Sequence, residues 1–201
     1  MSALPSQSRY IIGTEACERF SFYGMKSILM LYMTGHLLMS DNWSTSTLHI
    51  FVAMVYLLPL AGAWLADKVW GRYKTILYIS LLYCVGHGVL ATADLSHTIE
   101  ARRYILMAGL FIIALGAGGI KPCVSAFMGD QIPNKSPQLM TKAFNAFYWA
   151  INLGSFFSFL VIPAMEQRYG YSWAFAVPGL FMGVATFVFW LGRKNYHLSL
   201  I

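Results

Sequence analysis

Residues 15–33, EACERFSFYGMKSILMLYM, have the length and apolar content of a membrane-spanning helix, yet they carry four charged side chains. One charge at the centre of a bilayer costs about 2.5–3.5 kcal/mol on insertion scales, so four oppose insertion by about 10 kcal/mol before any pairing. Helices can pack against one another in lipid through small residues alone. The charges therefore indicate a functional site inside a membrane bundle, in preference to simple salt bridges between helices.

The spacing of these side chains places them together on one side of the predicted helix. Glu15, Arg19 and Tyr23 are four residues apart, and Glu18 follows Glu15 by three. An acid four residues before a base is also the favourable order for an ion pair within a helix. Burial away from water raises the pKa of a carboxyl group, and a nearby arginine lowers it, so a small rearrangement can make the group bind or release a proton. We therefore predict that Glu15 and Glu18 couple a proton to a conformational change.

The whole chain has the composition of an integral membrane protein. Of its 201 residues 58% are hydrophobic and only 11% charged, with a mean hydropathy of +0.58, whereas soluble domains carry about 25% charged residues. Apolar runs of about 20 residues, enough to cross the hydrocarbon core, recur six times. We place the spans at roughly 10–38, 47–66, 74–93, 103–127, 143–165 and 172–192. The predicted fold is an all-α bundle of six transmembrane helices that occupies residues 1–201, arranged as two three-helix repeats.

The distribution of lysine and arginine predicts the orientation of this bundle. An even number of spans puts both termini on one side, and cytoplasmic segments are enriched in these residues. With the N-terminus in the cytoplasm, the outer segments hold Arg102, Arg103 and Arg168. The inner segments then hold Arg9, Lys68, Arg72, Lys74, Lys135, Lys142, Arg193 and Lys194. We therefore expect a multi-pass protein of the cell (cytoplasmic or inner) membrane with a cytoplasmic N-terminus.

Two further segments combine glycine with charge. In GAWLADKVWGRYKT, residues 62–75, Asp67 and Arg72 lie at predicted helix ends, where they could latch and release a rigid body. In GGIKPCVSAFMGDQ, residues 118–131, Lys121 stands well inside a predicted span and is followed by Pro122, which loosens the backbone hydrogen bonding. The first segment is predicted to gate a conformational change. The second places a cation at membrane depth.

Polar side chains also recur on the second and fifth predicted spans. His49 and Tyr56 are separated by nearly two helical turns and so point the same way, and Tyr148 and Asn152 are four residues apart on one face. A deeply placed tyrosine needs a polar partner for its hydroxyl. On spacing alone, an amphipathic residue at the interface is the more common interpretation of His49. For Asn152, a simple link between helices is the alternative to a functional role.

Four motifs occur together and in order, and together they resemble one family. They are ExxERFxxY at 15–23, GAWLADKVWGRYKTI from 62, GGIKPCVSAFMGDQ at 118–131 and FxxxYxxINxGS at 144–155. The set is similar to the proton-coupled oligopeptide transporters (POT or PTR family) of the major facilitator superfamily, and it resembles the N-terminal six-helix half of such transporters. A C-terminal bundle is expected to be absent from this chain and to be needed as a partner.

The resemblance implies roles for individual residues. It implies proton coupling for Glu15, Glu18 and His49, and contact between Arg19 and the carboxyl end of a bound peptide, with Lys121 close by. It also implies that three polar side chains line the peptide cavity: Tyr23, Tyr56 and Asn152. We add Tyr148 to the predicted substrate site because it shares a helix face with Asn152. Phe22 departs from the family, in which many members have a tyrosine at this position.

The expected function is the proton-coupled symport of di- and tripeptides by alternating access. A peptide is a zwitterion with varied side chains, so a carrier should hold its constant ends, and Arg19 and Lys121 suit its carboxylate. A carrier of another small solute, such as nitrate, a drug or an amino-acid-like compound, and a non-transporting half-transporter or structural subunit are the alternatives. No enzymatic activity, metal, cofactor or nucleic-acid partner is expected, because no second aspartate of an intramembrane protease and no His-Glu-x-x-His pair is present.

Overall fold

The computed structural model describes residues 3–198. Over this range the chain forms seven α-helices and no β-strand. The helices are α1 (Ser8–Leu31), α2 (Asp41–Leu57), α3 (Pro59–Lys68), α4 (Arg72–Thr92), α5 (Ile99–Asp130), α6 (Pro137–Tyr169) and α7 (Tyr171–Leu191). The architecture is all-helical, as the composition predicts.

The first predicted span, 10–38, lies on α1 and on the π-helical turn Tyr32–His36 that continues it. The wider turn brings the Leu37 amide to the Tyr32 carbonyl oxygen at 2.9 Å. Leu38 then adopts a left-handed backbone conformation with φ 52°. This conformation is unusual for a branched residue, and it ends the helix before the connection to α2.

The second predicted span, 47–66, lies on two helices that follow one another almost without interruption. Ser40 begins α2 by accepting a hydrogen bond from the Trp43 amide at 3.4 Å. Pro59 has no amide hydrogen to donate. The helical hydrogen bonding continues around it, since the Leu58 amide donates to the Met54 carbonyl oxygen and the Gly62 amide donates to the Leu58 carbonyl oxygen. The result is one apolar stretch of 28 residues, Asp41–Lys68, interrupted only at Leu58.

Five stretches of the described chain are long and apolar enough to cross a membrane. They are Asp41–Lys68, Arg72–Leu95, Ile99–Asp130, Pro137–Tyr169 and Tyr171–Lys194. The four remaining predicted spans, 74–93, 103–127, 143–165 and 172–192, lie on α4 to α7, with residues 93 and 192 just beyond the ends of α4 and α7. Helix α1 is not among these five stretches, because its four charged residues within 15–26 are too many for a stretch identified by length and composition alone.

Helix α5 contacts α1 to α4, and its close packing depends on glycine. A Cβ atom at Gly62 on α3 would overlap the backbone of Gly119 on α5. A Cβ atom at Gly116 would lie 2.5 Å from the Tyr83 side chain on α4. On the other side of the bundle α1 packs between α6 and α7, and α4 contacts α7. Small residues therefore bring the helices close enough to bury the polar groups of α1 and α4.

The connections gather at two ends of the bundle. At one end Gln131 bonds to the backbone of His197 through both its amide nitrogen and its amide oxygen. At the other end Asp94 contacts His36 and Arg102, and Arg103 donates hydrogen bonds to the Leu37 carbonyl oxygen. These contacts fix the ends of the helices, and the charged group of α1 lies between them.

Candidate functional site

A buried ion cluster occupies the inner face of α1. Nε of Arg19 lies 3.0 Å from a carboxylate oxygen of Glu15 and 2.5 Å from one of Glu18. The exposed fractions of the three residues are 5% for Glu15, 1% for Glu18 and 5% for Arg19. One guanidinium therefore faces two carboxylates at a depth where unpaired charges would be very costly.

The geometry of this cluster is that of charges in contact, without aligned hydrogen bonds. Both oxygens of Glu18 and Nε of Arg19 lack a hydrogen bond to any residue of the described range. The Tyr83 hydroxyl lies close to Glu18, also outside hydrogen-bond geometry, and the Lys121 ammonium adds to the positive field. A two-point arginine–carboxylate fork is stronger and more directional than this arrangement. Arg19 is thus held by charge and remains able to exchange one anion for another.

A narrow crevice opens from the Arg19 side of the cluster. Its volume is about 70 Å³, and its polar lining comes from α1, α2 and α5: Arg19, Tyr23, Lys26, Tyr56 and Lys121. The apolar lining is Phe22, Val52, Val55 and Ala117. The crevice has room for a few water molecules at most. It presents three cations and two phenols, while the acidic residues lie behind it.

Lys121 reaches across the crevice to α2. Its Nζ atom lies 4.8 Å from the centre of the Tyr56 ring, within the range of a cation–π interaction. Both residues are exposed, and 66% of the Tyr56 surface is accessible. Phe22 is buried and stacks on Phe51 at 6.0 Å. The α1–α2 contact is aromatic at this position, and the phenols of the crevice come from Tyr23 and Tyr56.

Two of the predicted substrate residues lie elsewhere on the surface. Tyr148 and Asn152 line a separate depression on α6 together with Asn145 and Trp149. The Asn152 side-chain amide donates to the Tyr148 carbonyl oxygen at 2.9 Å, one turn earlier in the same helix. The structure therefore groups Arg19, Tyr23, Tyr56 and Lys121 around one crevice and leaves Tyr148 and Asn152 outside it.

His49 also lies apart from the crevice. It is exposed on α2, and within residues 3–198 it has no hydrogen bond or ion pair. It precedes Tyr56 by seven residues on the same helix, so it lies about two turns further along. The buried histidine of this bundle is instead His87 on α4.

The predicted gating residues form part of a three-residue cluster. Arg72, at the start of α4, lies 3.5 Å from Asp67 near the end of α3 and 2.6 Å from Asp130 at the end of α5. The shorter contact is also a hydrogen bond from Nη1 of Arg72 to Asp130. Arg72 therefore ties three helix ends together, and Asp130 is its closer partner.

The sequence prediction missed two further polar residues at the core. Tyr83 and His87 are one turn apart on α4 and stack at 5.1 Å, and Nε2 of His87 lies 2.9 Å from the Ser21 hydroxyl on α1. Tyr83 reaches the Glu18 side of the cluster, as described above. Their four-residue spacing is visible in the sequence, but the helix that they face is not.

Comparison with known proteins identifies the family. The profile described as "PTR2: POT family" matches residues 73–199. Solute carrier family 15 member 2 of Homo sapiens is 41% identical over 209 residues, which cover 98% of this chain and 28% of that protein. Peptide transporter family 1 of Drosophila melanogaster is 41% identical over 202 residues, which cover 96% of this chain and 27% of that protein.

The fold agrees with solved structures of the same family. The in meso crystal structure of the POT family transporter PepTSo superposes with a TM-score of 0.90 at 46% identity and covers 99% of this chain. Only 39% of the PepTSo chain is matched. The chain therefore spans about a quarter to two fifths of the length of these proteins. It has the fold of the N-terminal half of a major facilitator superfamily transporter, and it belongs to the POT family.

Proposed function

We propose that the protein carries di- and tripeptides together with protons across the cell membrane by alternating access. The observation that carries this proposal is the buried group in which Arg19 faces both Glu15 and Glu18 beside an open crevice. The relatives named above include a peptide transporter and a member of a solute carrier family. A peptide carrier needs a cation that can leave an internal carboxylate for the carboxylate of its substrate.

The proposed coupling follows from competition for Arg19. When Glu18 is ionised, its carboxylate neutralises the guanidinium at 2.5 Å. When Glu18 takes up a proton this attraction is lost, and Arg19 can turn its free donors toward a peptide carboxylate at the crevice. Release of the peptide restores the need for a negative partner and favours loss of the proton. Proton entry and peptide entry are thereby linked, with Glu15 keeping part of the positive charge balanced throughout.

The crevice supports a role as one half of a binding site. A volume of about 70 Å³ is too small for a dipeptide, although Arg19 and Lys121 are suited to a carboxylate. We assign residues 1–201 to an N-terminal six-helix bundle and propose that a C-terminal six-helix bundle completes the cavity. This second bundle would supply carboxylates for the amino end of the peptide. Tyr23 and Tyr56 would then contact the peptide backbone from this side.

The remaining predicted residues receive roles in this transport cycle. We assign Tyr148 and Asn152 to the part of the cavity that the second bundle closes, and His49 to proton coupling near the outer end of α2. Asp67 and Arg72, with Asp130, are assigned to a latch at the cytoplasmic end. This assignment places the N-terminus in the cytoplasm, consistent with the excess of lysine and arginine in the segments at that end.

Competition of peptide uptake tests the substrate class. The complete transporter is reconstituted in vesicles with an inward proton gradient, and uptake of a labelled dipeptide is measured. We expect unlabelled di- and tripeptides to compete, and free amino acids, nitrate and longer peptides to have little effect. Competition by nitrate or a free amino acid in place of the peptides would assign the chain to a carrier of another small solute. Uptake that does not require this chain would indicate a structural subunit.

A further inference from the structure

A large cavity lies outside the crevice, at the opposite end of the bundle from the Arg72 cluster. Its volume is about 540 Å³, and it lies between the start of α2 and the start of α5. The side chains that shape it are Leu38, Trp43, Glu100, Arg103, Tyr104 and Met107. Both apolar stretches, Asp41–Lys68 and Ile99–Asp130, begin here, a position expected near the depth of the lipid headgroups.

One face of α5 lines this cavity. Glu100, Arg103, Tyr104 and Met107 follow the three- and four-residue spacing of a single helix face. The neighbouring Leu106 is fully buried in the bundle. On the side of α5 away from Leu106, the helix therefore presents two opposite charges and an aromatic ring.

Arg103 also builds the wall of the cavity. Its Nε and Nη2 atoms donate to the Leu37 carbonyl oxygen at 3.2 and 2.7 Å, and Nη2 donates to the Leu38 carbonyl oxygen at 3.0 Å. These bonds hold the chain where Leu38 adopts its left-handed conformation. Nη1 of Arg103 forms no hydrogen bond to any residue in the range 3–198. The guanidinium is therefore fixed in place and retains donors for an anion.

The two charges of the cavity are not paired with protein groups. Across residues 3–198, neither Glu100 nor Arg103 forms an ion pair. Glu100 is exposed and has no hydrogen bond from its side chain within the same range. A fixed cation and a free carboxylate three residues apart in one cavity suit a ligand that carries both an anionic and a cationic group.

The aromatic residues indicate what else the ligand contains. The exposed fractions of Trp43 and Tyr104 are 69% and 78%. Tryptophan and tyrosine at headgroup depth are typical of membrane interfaces, and their ring faces attract ammonium groups. The remaining lining is apolar, from Leu38, Met39 and Met107. A ligand with a zwitterionic head and an apolar tail would satisfy every part of this surface.

We propose that this cavity binds a phospholipid whose headgroup carries a phosphate and a primary ammonium, as phosphatidylethanolamine does. Arg103 contacts the phosphate, Glu100 accepts hydrogen bonds from the ammonium beside the rings of Trp43 and Tyr104, and Met107 contacts the start of an acyl chain. This site is independent of the transported substrate. It would tie the first turns of α2 and α5 to one lipid.

Lipid retention measured by native mass spectrometry tests the proposal. The complete protein is taken from nanodiscs that contain equal amounts of dioleoyl phosphatidylethanolamine and dioleoyl phosphatidylcholine, and the retained lipids are counted. We expect the wild-type protein to retain phosphatidylethanolamine preferentially, since the methylated ammonium of phosphatidylcholine has no N–H to donate. Glu100→Gln should reduce this preference by up to about fivefold, the upper range for one exposed ion pair. Equal retention of both lipids by the wild-type protein would overturn the proposal.

Matched variants separate lipid binding from folding. Arg103→Gln should lower retention of both lipids, but it also removes the bonds to Leu37, so its thermal stability is measured alongside. Glu100→Gln breaks no contact within the protein, so its lipid preference is the decisive measurement. Glu166→Gln, near the end of α6 at the same end of the bundle, should leave the preference unchanged. An unaltered preference in Glu100→Gln would contradict a lipid site. Displacement of the lipid by millimolar dialanine would also contradict it, and would assign the cavity to soluble zwitterions.

Discussion

Nε of Arg19 lies 2.5 Å from a carboxylate oxygen of Glu18, and almost no surface of either residue is exposed. The contact lacks hydrogen-bond alignment. A charge pair without directional bonds is well suited to exchange, because little geometry must be broken when one anion replaces another. The proposed function depends on this exchange.

Replacement of Tyr56 tests the cation–π contact with Lys121. Tyr56→Leu removes the ring 4.8 Å from Nζ of Lys121 and should raise the KM for dipeptide uptake by about twofold to fivefold, the equivalent of about 0.5–1 kcal/mol. Tyr56→Phe keeps the ring and should remain closer to the wild-type KM. If both variants raise KM equally, the hydroxyl is the important group and the ring contact is not.

The latch at the helix ends should depend more on Asp130 than on Asp67. Asp130 lies 2.6 Å from Arg72 in a hydrogen-bonded contact, whereas Asp67 lies 3.5 Å away and is more exposed. Asp130→Asn should lower the free energy of unfolding by about 1 kcal/mol and Asp67→Asn by a few tenths. Unfolding in mixed micelles titrated with sodium dodecyl sulfate measures both. The opposite order would show that the geometric ranking is wrong.

The contact between α3 and α5 requires glycine at position 62. Gly62→Ala places a Cβ atom against the backbone of Gly119, which cannot move without shifting α5, so a loss of about 2 kcal/mol or more is expected. Gly88→Ala on α4 is the matched control, since a Cβ atom there meets nothing within 4 Å. It should be neutral or up to about 1 kcal/mol more stable, because alanine is the better helix former. Equal destabilisation by both variants would contradict the close approach.

The buried pair of Ser21 and His87 should be energetically coupled. Ser21→Ala leaves Nε2 of His87 without its partner at 2.9 Å and should cost about 1–3 kcal/mol, since Nδ1 of the same ring already lacks a partner among the described residues. Combined with His87→Leu, the loss should be smaller than the sum of the two single changes. Additive losses in the same micelle titration would mean that the two side chains do not stabilise each other.

Local relationships were the part of the site that the sequence could predict. The pairing of Glu15 with Arg19 follows from a four-residue spacing on one helix, and the structure shows it at 3.0 Å. The all-helical fold follows from the composition and the lengths of the apolar runs. These features depend on residues close together in the chain or on sums over many residues, so no knowledge of the tertiary arrangement is needed.

Contacts between helices were not predictable in the same way. The sequence does not show that Asp130, 58 residues from Arg72, is its closer partner, or that Tyr83 faces Glu18. Helical spacing says which residues share a face, but it leaves the direction of that face open. For this reason Tyr148 and Asn152 were correctly expected to share a helix face, yet they line a different depression from the Arg19 crevice.

Replacement of Glu18 by glutamine tests the central claim most directly. In vesicles that contain the complete transporter, two quantities are compared: accumulation of labelled dipeptide driven by a proton gradient, and exchange of labelled for unlabelled dipeptide without a gradient. Glu18→Gln removes the charge that competes for Arg19, so we predict that accumulation falls to simple equilibration while exchange continues. Accumulation at the wild-type level in Glu18→Gln would contradict the proposed coupling.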